Sequence, residues 1–435
     1  MALEVVEICA GAGGQALGLH LAGFKHRVAF ELDANACNTL RRNAELRHIA
    51  ISNEDQIADG SWVIEGDVAS PGNWAPEEYK GIDLLAGGVP CPPFTIAGKQ
   101  LGATDERDLF AWAVEQVDTI KPRALLLENV RGLSMPRFAG YRQHVLDRLQ
   151  KFGYLAEWTI LNASDYGVPQ LRPRFVLVAM RPEEFEYFHW PQKSIDPPPT
   201  VGQALYDLMA ARDWEGAEEW ARKADGIAPT IVGGSKKHGG ADLGPNRAKD
   251  AWKALGVDAY GIHDHAPPYP DTRPMTEWGP KLTAEMAARI QGWDNKEYTW
   301  EFTGRKTSQY RQIGNAFPPP VAKALGLAIA DALNHRGERR KVYGEGSHDP
   351  IYRALRDYGD FMTAAQIMNK AKIELTDAEL DKRISLLHRD FEIIKEPLSA
   401  NSNVLQYKLG DFRAFIGQDD HMRNVYLRDS SSKVS

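Results

Sequence analysis

Cys91 stands in Gly87-Gly88-Val89-Pro90-Cys91-Pro92-Pro93-Phe94, just after the apolar run IDLLAGG. Thiolate is the strongest ordinary protein nucleophile at neutral pH. Three prolines hold the backbone around it, and the two glycines let another group come close. A plain loop cysteine could carry the same neighbours. The segment that follows, Ala97-Gly-Lys-Gln-Leu-Gly102, has the polar, Gly-spaced character of a loop that closes over a substrate. Glu128, in Glu128-Asn129-Val130, ends the apolar run ALLLENV. A carboxylate there is costly unless paired or used, and desolvation would let it donate a proton at neutral pH. Arg172 and Arg174, two apart in Gln170-Leu-Arg172-Pro-Arg174-Phe, would share one face of an extended segment. Two neighbouring guanidiniums call for anions or polar acceptors, or else for solvent. Gly11-Ala-Gly13-Gly14 follows a strand-like run and opens a helix, with Glu31 twenty residues beyond Gly11. That spacing suits amides near a ligand and a carboxylate on ribose hydroxyls, or only a tight strand-to-helix turn. Gly314-Asn315 and the prolines after it read by themselves as the start of an apolar helix.

Positioning these groups takes regular elements. VVEICA, HRVAFELD, IDLLAGG and ALLLENV read as strands, and LAEWTILNA and RFVLVAM as two more. Helical spacing appears at Leu17-Leu21-Phe24, from about Ala34 to Leu46, at Leu109-Ala113-Val117-Ile120 and at Val145-Leu149-Phe152. This alternation predicts an α/β fold, a mainly parallel sheet with helices on both faces. The rhythm stops near Met180. From Arg181 to about Gly279 the chain is rich in Pro, Gly and charge, which predicts a smaller irregular domain. Helical patterns return in LTAEMAARIQGW and PPPVAKALGLAIADALN, and His335–Pro350 reads as a linker. Beyond it lie three helix-like segments, IYRALRDYG, TAAQIMNKAKI and DAELDKRISLLHRDFEIIKE, then the strand-like VLQYKL. Met362, Ile367 and Met368 there read as core.

The 435 residues are 43% hydrophobic and 26% charged, an ordinary soluble composition with length for two or three domains. No apolar run is long enough to span a membrane, and the start of the chain has no basic region of a secretory signal. Three cysteines make a disulfide framework implausible and suit a reducing, cytoplasmic setting. Cys and His are too dispersed for a zinc site, so no metal is expected. The net charge of −7 excludes a uniformly basic coat but not a local basic cleft.

Taken together and in this order, the segments resemble the cytosine-C5 DNA methyltransferases over about residues 3–333. The resemblance implies a Rossmann-like fold and S-adenosyl-L-methionine as cofactor. It assigns Ala10, Gly11, Ala12, Gly13 and Gly14 to the cofactor turn, Glu31 to the ribose, and Leu32 to the adenine face. Asp67 with Val68 would meet the adenine amino group. Pro90 precedes the nucleophile Cys91, Glu128 is the general acid, and Arg172 with Arg174 is the paired-arginine segment. Asn315 with Ala316 returns to wall the cofactor. The family usually has Phe where this chain has Cys9, so an adenine stack is weaker or supplied elsewhere. Glu285 stands where the family has an arginine, which puts a structural salt bridge in doubt.

The resemblance further implies a catalytic domain at 1–182 completed by 310–336 and a target-recognition domain at 183–309. The extension at 345–435 lies outside the family's common core, and its three helices and strand pair would make a winged-helix-like module. Lys99, Gln100 and Arg107 would close on double-stranded DNA. Lys236, Lys237, His238 and Arg247 would gather on Gly-rich backbone to meet phosphates and guanine edges. The expected reaction is methyl transfer to a flipped-out cytosine by a monomer, guarding DNA against a cognate restriction endonuclease. The alternatives are a tRNA cytosine-C5 methyltransferase, a non-catalytic DNA-binding regulator, and a nicotinamide dehydrogenase. The last leaves the Pro-Cys, ENV and paired-arginine segments unexplained.

Overall fold

The computed structural model describes residues 2–70, 72–90, 107–233, 241–270, 272–274, 277–294, 296–341, 349–388, 390–399, 402 and 404–412, with Arg107 and Asp108 as backbone alone. Along the chain run β1 (Leu3–Ile8), α1 (Gly14–Leu21), β2 (Phe24–Glu31), α2 (Ala34–Glu45), α3 (Asp55–Asp59), β3 (Val63–Glu65) and β4 (Leu84–Gly87). Then come α4 (Arg107–Ile120), β5 (Ala124–Val130), α5 (Ala139–Lys151), β6 (Leu155–Asn162) and β7 (Pro173–Met180). The sheet order is β3-β2-β1-β4-β5-β7-β6. β1 to β5 are parallel, while β7 runs antiparallel to both β5 and β6.

Both faces are covered, and the strands show it residue by residue. Leu125 and Leu127 of β5, with Phe175, Leu177 and Ala179 of β7, join the core under α4 and α5. Ala124 and Leu126, with Val176, Val178 and Met180, join the opposite core. This period-2 division is why the strands read as unbroken apolar runs. β3 was not among the expected strands. It is three residues long at the sheet edge and presents one buried side chain, too little for a pattern.

Past β7 come α6 (Pro182–Phe185), α7 (Val201–Ala210), α8 (Ala217–Lys223), α9 (Asn246–Ala254) and α10 (Ala284–Gln291). The stretch expected to be irregular therefore carries short helices. α7 is set by a Thr200–Gln203 capping box and packs on α8 through the backbone approach that Gly202 allows. Its apolar residues share one core with α1, α2 and β3. α11 (Lys306–Asn315) runs unbroken across the expected 309/310 division and takes Gly314 and Asn315 into its last turn. α12 (Pro319–Leu333) then lies along α1. A Cβ on Gly18 would collide with Ala322 and the α12 backbone, so only glycine permits this approach.

The tail holds α13 (Pro350–Tyr358), β8 (Met362–Thr363), α14 (Ala364–Ala371), α15 (Asp377–Leu387), β9 (Phe391–Pro397) and β10 (Leu405–Phe412), with strands in the order β8-β10-β9. The expected third helix stops at Leu387. FEIIKEP instead alternates buried Phe391 and Ile393 with exposed neighbours, a strand pattern. Met362 and Ile367 are buried in this module's own core, with Met368 packed against it. The module sits on α5. His144 stacks on Phe412 with ring centroids 4.2 Å apart and meets Phe391 edge-on at 5.4 Å. Arg356 pairs with Asp147. Burial, with Arg148 and Arg356 nearby, pushes the His144 imidazole down to about 3.

Candidate active site

A cavity of about 310 Å³ opens at the carboxyl ends of β1 to β5, where open α/β sheets bind ligands. One end is built from backbone. After β1 the chain turns through Cys9, which has φ 51°, to Gly13, which caps α1 at φ 91°. Gly13 must lack a side chain on two counts: its φ is left-handed, and a Cβ would strike the Trp300 ring. Trp300 Nε1 donates to the Ala12 carbonyl at 2.8 Å and so braces the turn from residue 300. Glu31, at the end of β2, accepts three backbone N–H groups. Gly11 donates to Oε2 at 2.7 Å, and Leu32 and Asp33 donate to Oε1 at 2.9 and 2.8 Å. Burial raises this carboxyl against the pull of those N–H groups. Asp67 accepts from Ala69 N at 3.0 Å.

Ala10, Gly11, Ala12, Glu31, Leu32, Asp67, Val68, Pro90, Asn315 and Ala316 all line the cavity. Gly13 and Gly14 do not; they shape the turn from behind, against Trp300 and the Phe317 carbonyl. Cys9 lines the wall, and Leu32 stands exposed at the rim. Cavity walls that the sequence had not offered include Gln15, Asp33 and Phe317, and the α11 face of Ser308, Arg311 and Gln312. The spacing of that face, three, four and seven residues before Asn315, was the available signal.

The other end is built from paired charge. Arg174 Nε lies 2.5 Å from Glu128 Oε1, with both residues more than nine-tenths buried. The pair arises from register: β5 and β7 run antiparallel with Val130 opposite Arg174, which sets Glu128 beside it. Burial drives the Glu128 carboxyl up, while the guanidiniums of Arg174 and Arg172 draw it down; the net direction is upward. Glu128 lines the cavity, and Gly88 keeps open the space beside Glu128 Oε2. Asn129 Nδ2 donates to the Val89 carbonyl at 3.2 Å, tying the end of β5 to the loop that enters Pro90.

Neither Arg172 nor Arg174 lines the cavity; Arg174 reaches it through Glu128, while Arg172, expected beside it in the chemistry, turns to other partners. Its Nη1 donates to the Ile231 carbonyl at 2.7 Å, and its Nη2 to Gly314 and Ala316 at 2.8 and 2.9 Å. It is 2% exposed and knots three segments together. Gln170 and Gln291 extend the knot. Ile231 N donates to Gln170 Oε1 at 2.8 Å, and Gln291 Nε2 donates to the Ala316 carbonyl at 2.7 Å. Arg172 thus has the contacts of a positioning residue, and both arginines meet buried acceptors, so the alternative of a solvated pair fails.

Cys91, Lys99, Gln100, Lys236, Lys237 and His238 lie outside the described residues. Arg107 opens α4, and Arg247 is exposed on the first turn of α9. Glu285 is exposed on α10 with no ion-pair partner among the described residues, while Arg289 of the same helix pairs with Asp207 at 2.7 Å.

The cavity suits a ligand that joins a nucleoside to an amino acid: it has the size, two carboxylates for hydroxyl and amino groups, and a Gly-rich turn at a helix start. Comparison with known proteins agrees. Type II methyltransferase M.NaeI of Lentzea aerocolonigenes is 60% identical over 434 residues, covering 100% of this chain and 99% of its own length. Type II methyltransferase M.NgoMIV of Neisseria gonorrhoeae is 47% identical over 338 residues, 77% of this chain and 99% of its own. Residues 3–331 match the sequence model of the C-5 cytosine-specific DNA methylases, which ends short of the tail module. The chain belongs to that family and is a DNA cytosine-5 methyltransferase that uses S-adenosyl-L-methionine.

Proposed function

We propose that this enzyme methylates one cytosine within a specific double-stranded DNA sequence, as the modification partner of a restriction endonuclease that cuts the same sequence. Its likeness to two Type II methyltransferases supports the biological role. The observation that carries the chemistry is the buried Glu128–Arg174 pair at the end of the cofactor cavity, beside the loop that leads to Cys91.

Free cytosine C5 is a poor nucleophile. The Cys91 thiolate adds to C6, forming a C–S bond and turning C5 into the nucleophilic end of an enamine. Negative charge that would collect at N3 is met by Glu128, whose raised pKa lets it hold or give a proton there. Arg174 donates to the O2 edge, and once Glu128 has given up its proton its carboxylate compensates the guanidinium. The bound cofactor supplies an electrophilic methyl group. A base then takes the C5 proton, the C–S bond breaks, and Cys91 leaves as thiolate. A stacked base cannot reach so enclosed a site, so the cytosine is flipped out.

In this reading residues 1–182 with 310–336 form the catalytic domain, 183–309 read the target, and 345–435 form a winged-helix-like extension. The 309/310 division falls inside α11, so the reading domain and the cofactor wall share a helix. Lys99, Gln100, Arg107, Lys236, Lys237, His238 and Arg247 contact the DNA. One strand is modified per visit, which needs only a monomer. No described helix is long and apolar enough to cross a membrane, and the work is done in the cytoplasm.

The test is transfer of labelled methyl to mixed genomic DNA and to tRNA, with wild type and Cys91→Ala, followed by base-resolution mapping. Label should appear in DNA as 5-methylcytosine at one recurring sequence and vanish in the variant. Label in tRNA alone overturns the substrate. Transfer that survives Cys91→Ala overturns the mechanism.

A further inference from the structure

Arg311 is the only basic side chain among the described residues lining the cofactor cavity. It makes no hydrogen bond or ion pair with any described residue. Other arginines of the region are committed: Arg174 to Glu128, Arg172 to three carbonyls, Arg289 to Asp207. The helix that carries Arg311 is itself fixed. Tyr310 Oη donates to the Val232 and Asp242 carbonyls at 3.2 and 3.0 Å, and Thr39 donates to Gln312 Oε1 at 2.6 Å. Arg311 is therefore held in place by its backbone while no described residue pairs with its charge.

Its place on α11 gives that charge a direction. Ser308, Arg311 and Asn315 follow one another at three and four residues, so they stand on one helix face, and all three line the cavity. The remaining charged groups on the wall are acids: Glu31, Asp33, Asp67 and Glu128. S-adenosyl-L-methionine carries two cationic groups, a sulfonium and an ammonium, and one carboxylate. A wall of four acids suits the cations, the ribose hydroxyls and the adenine amino group. Among the charged side chains of that wall, only Arg311 attracts the carboxylate.

We propose that Arg311 binds the carboxylate of the cofactor's methionine moiety, from the turn of α11 before Asn315. The planar fork of a guanidinium matches the two carboxylate oxygens. This assignment rests on the cofactor reading and adds to it the residue that distinguishes the amino-acid tail from a bare nucleoside. The competing partner for an uncompensated arginine in such an enzyme is a DNA phosphate.

Two ligands separate these roles. S-adenosylhomocysteine has the tail, and 5′-methylthioadenosine lacks it. Binding of each to the full-length protein is measured by calorimetry for wild type, Arg311→Met and Arg311→Lys. Arg311→Met should weaken S-adenosylhomocysteine roughly ten- to a hundredfold and leave 5′-methylthioadenosine within about twofold, as expected for one charge-assisted contact. Arg311→Lys should recover part of the loss, since it keeps the charge but not the fork. Equal weakening of both ligands would mean a distorted cavity and overturns the assignment. Unchanged S-adenosylhomocysteine binding with a shallower salt dependence of DNA binding moves Arg311 to a phosphate and overturns it too. A wild-type protein that binds neither ligand overturns the cofactor reading itself.

Discussion

The two ends of the cavity hold polar chemistry in opposite ways. At the base end, strands β5 and β7 bury a carboxylate and a guanidinium side by side, each the other's partner. At the cofactor end, Glu31 is steadied by three backbone N–H groups of the turns around it. A side-chain pair can be broken by one substitution, because the survivor is left charged and buried. Backbone donors survive any side-chain change that keeps the turn. The base end should therefore be brittle and the cofactor end tolerant. A cysteine standing where the family usually has a stacking Phe is consistent with that tolerance.

The strongest way to break this contrast is Arg174→Met. It strands Glu128 and should remove about 3–5 kcal/mol of stability in urea unfolding, along with nearly all single-turnover methyl transfer. Adding Glu128→Gln should restore much of the stability and none of the transfer. A double variant no more stable than the single one would show that the pair is not the source of the brittleness. Next is Arg172→Met, which leaves the Ile231 and Gly314 carbonyls short of a donor and the Ala316 carbonyl with Gln291 alone. A loss of about 2–4 kcal/mol is expected from unmet buried acceptors. S-adenosylhomocysteine affinity should fall only as far as Asn315 and Ala316 shift, and a large affinity loss at unchanged stability would contradict the positioning role. The smallest effect tests the tolerant end. Cys9→Phe should tighten S-adenosylhomocysteine by about threefold, a ring contact offset by the left-handed backbone at this position. A loss of binding would mean that the turn has been rebuilt around the smaller residue.

The base end was also the more legible in sequence. ALLLENV and RFVLVAM declare buried strands, and a Glu or Arg at the end of such a run has few inexpensive explanations. What the sequence could not convey was which arginine meets Glu128. Arg172 and Arg174 are two apart, yet one meets Glu128 and the other meets carbonyls brought from residues 231, 314 and 316. That separation depends on distant segments, not on spacing. The α11 wall was half legible. Asn315 stood out through its Gly-Asn-Pro setting, but Ser308, Arg311 and Gln312 became site residues only once the helix was seen to lie across the cavity. β3 and the strand at FEIIKEP were lost for a local reason, being too short or too mixed in polarity to separate from a loop or a helix.

The packing of α12 along α1 has a consequence for how the molecule comes into being. Gly18 and the residues that press on it are separated by some three hundred positions, and α11, one wall of the cofactor cavity, immediately precedes that partner helix. A ribosome therefore finishes the seven-stranded sheet and α6 to α10 before the cavity can close. A nascent chain that stops before α11 lacks Ser308, Arg311, Gln312 and Asn315 of the cavity wall. The cofactor cavity is therefore completed late in synthesis.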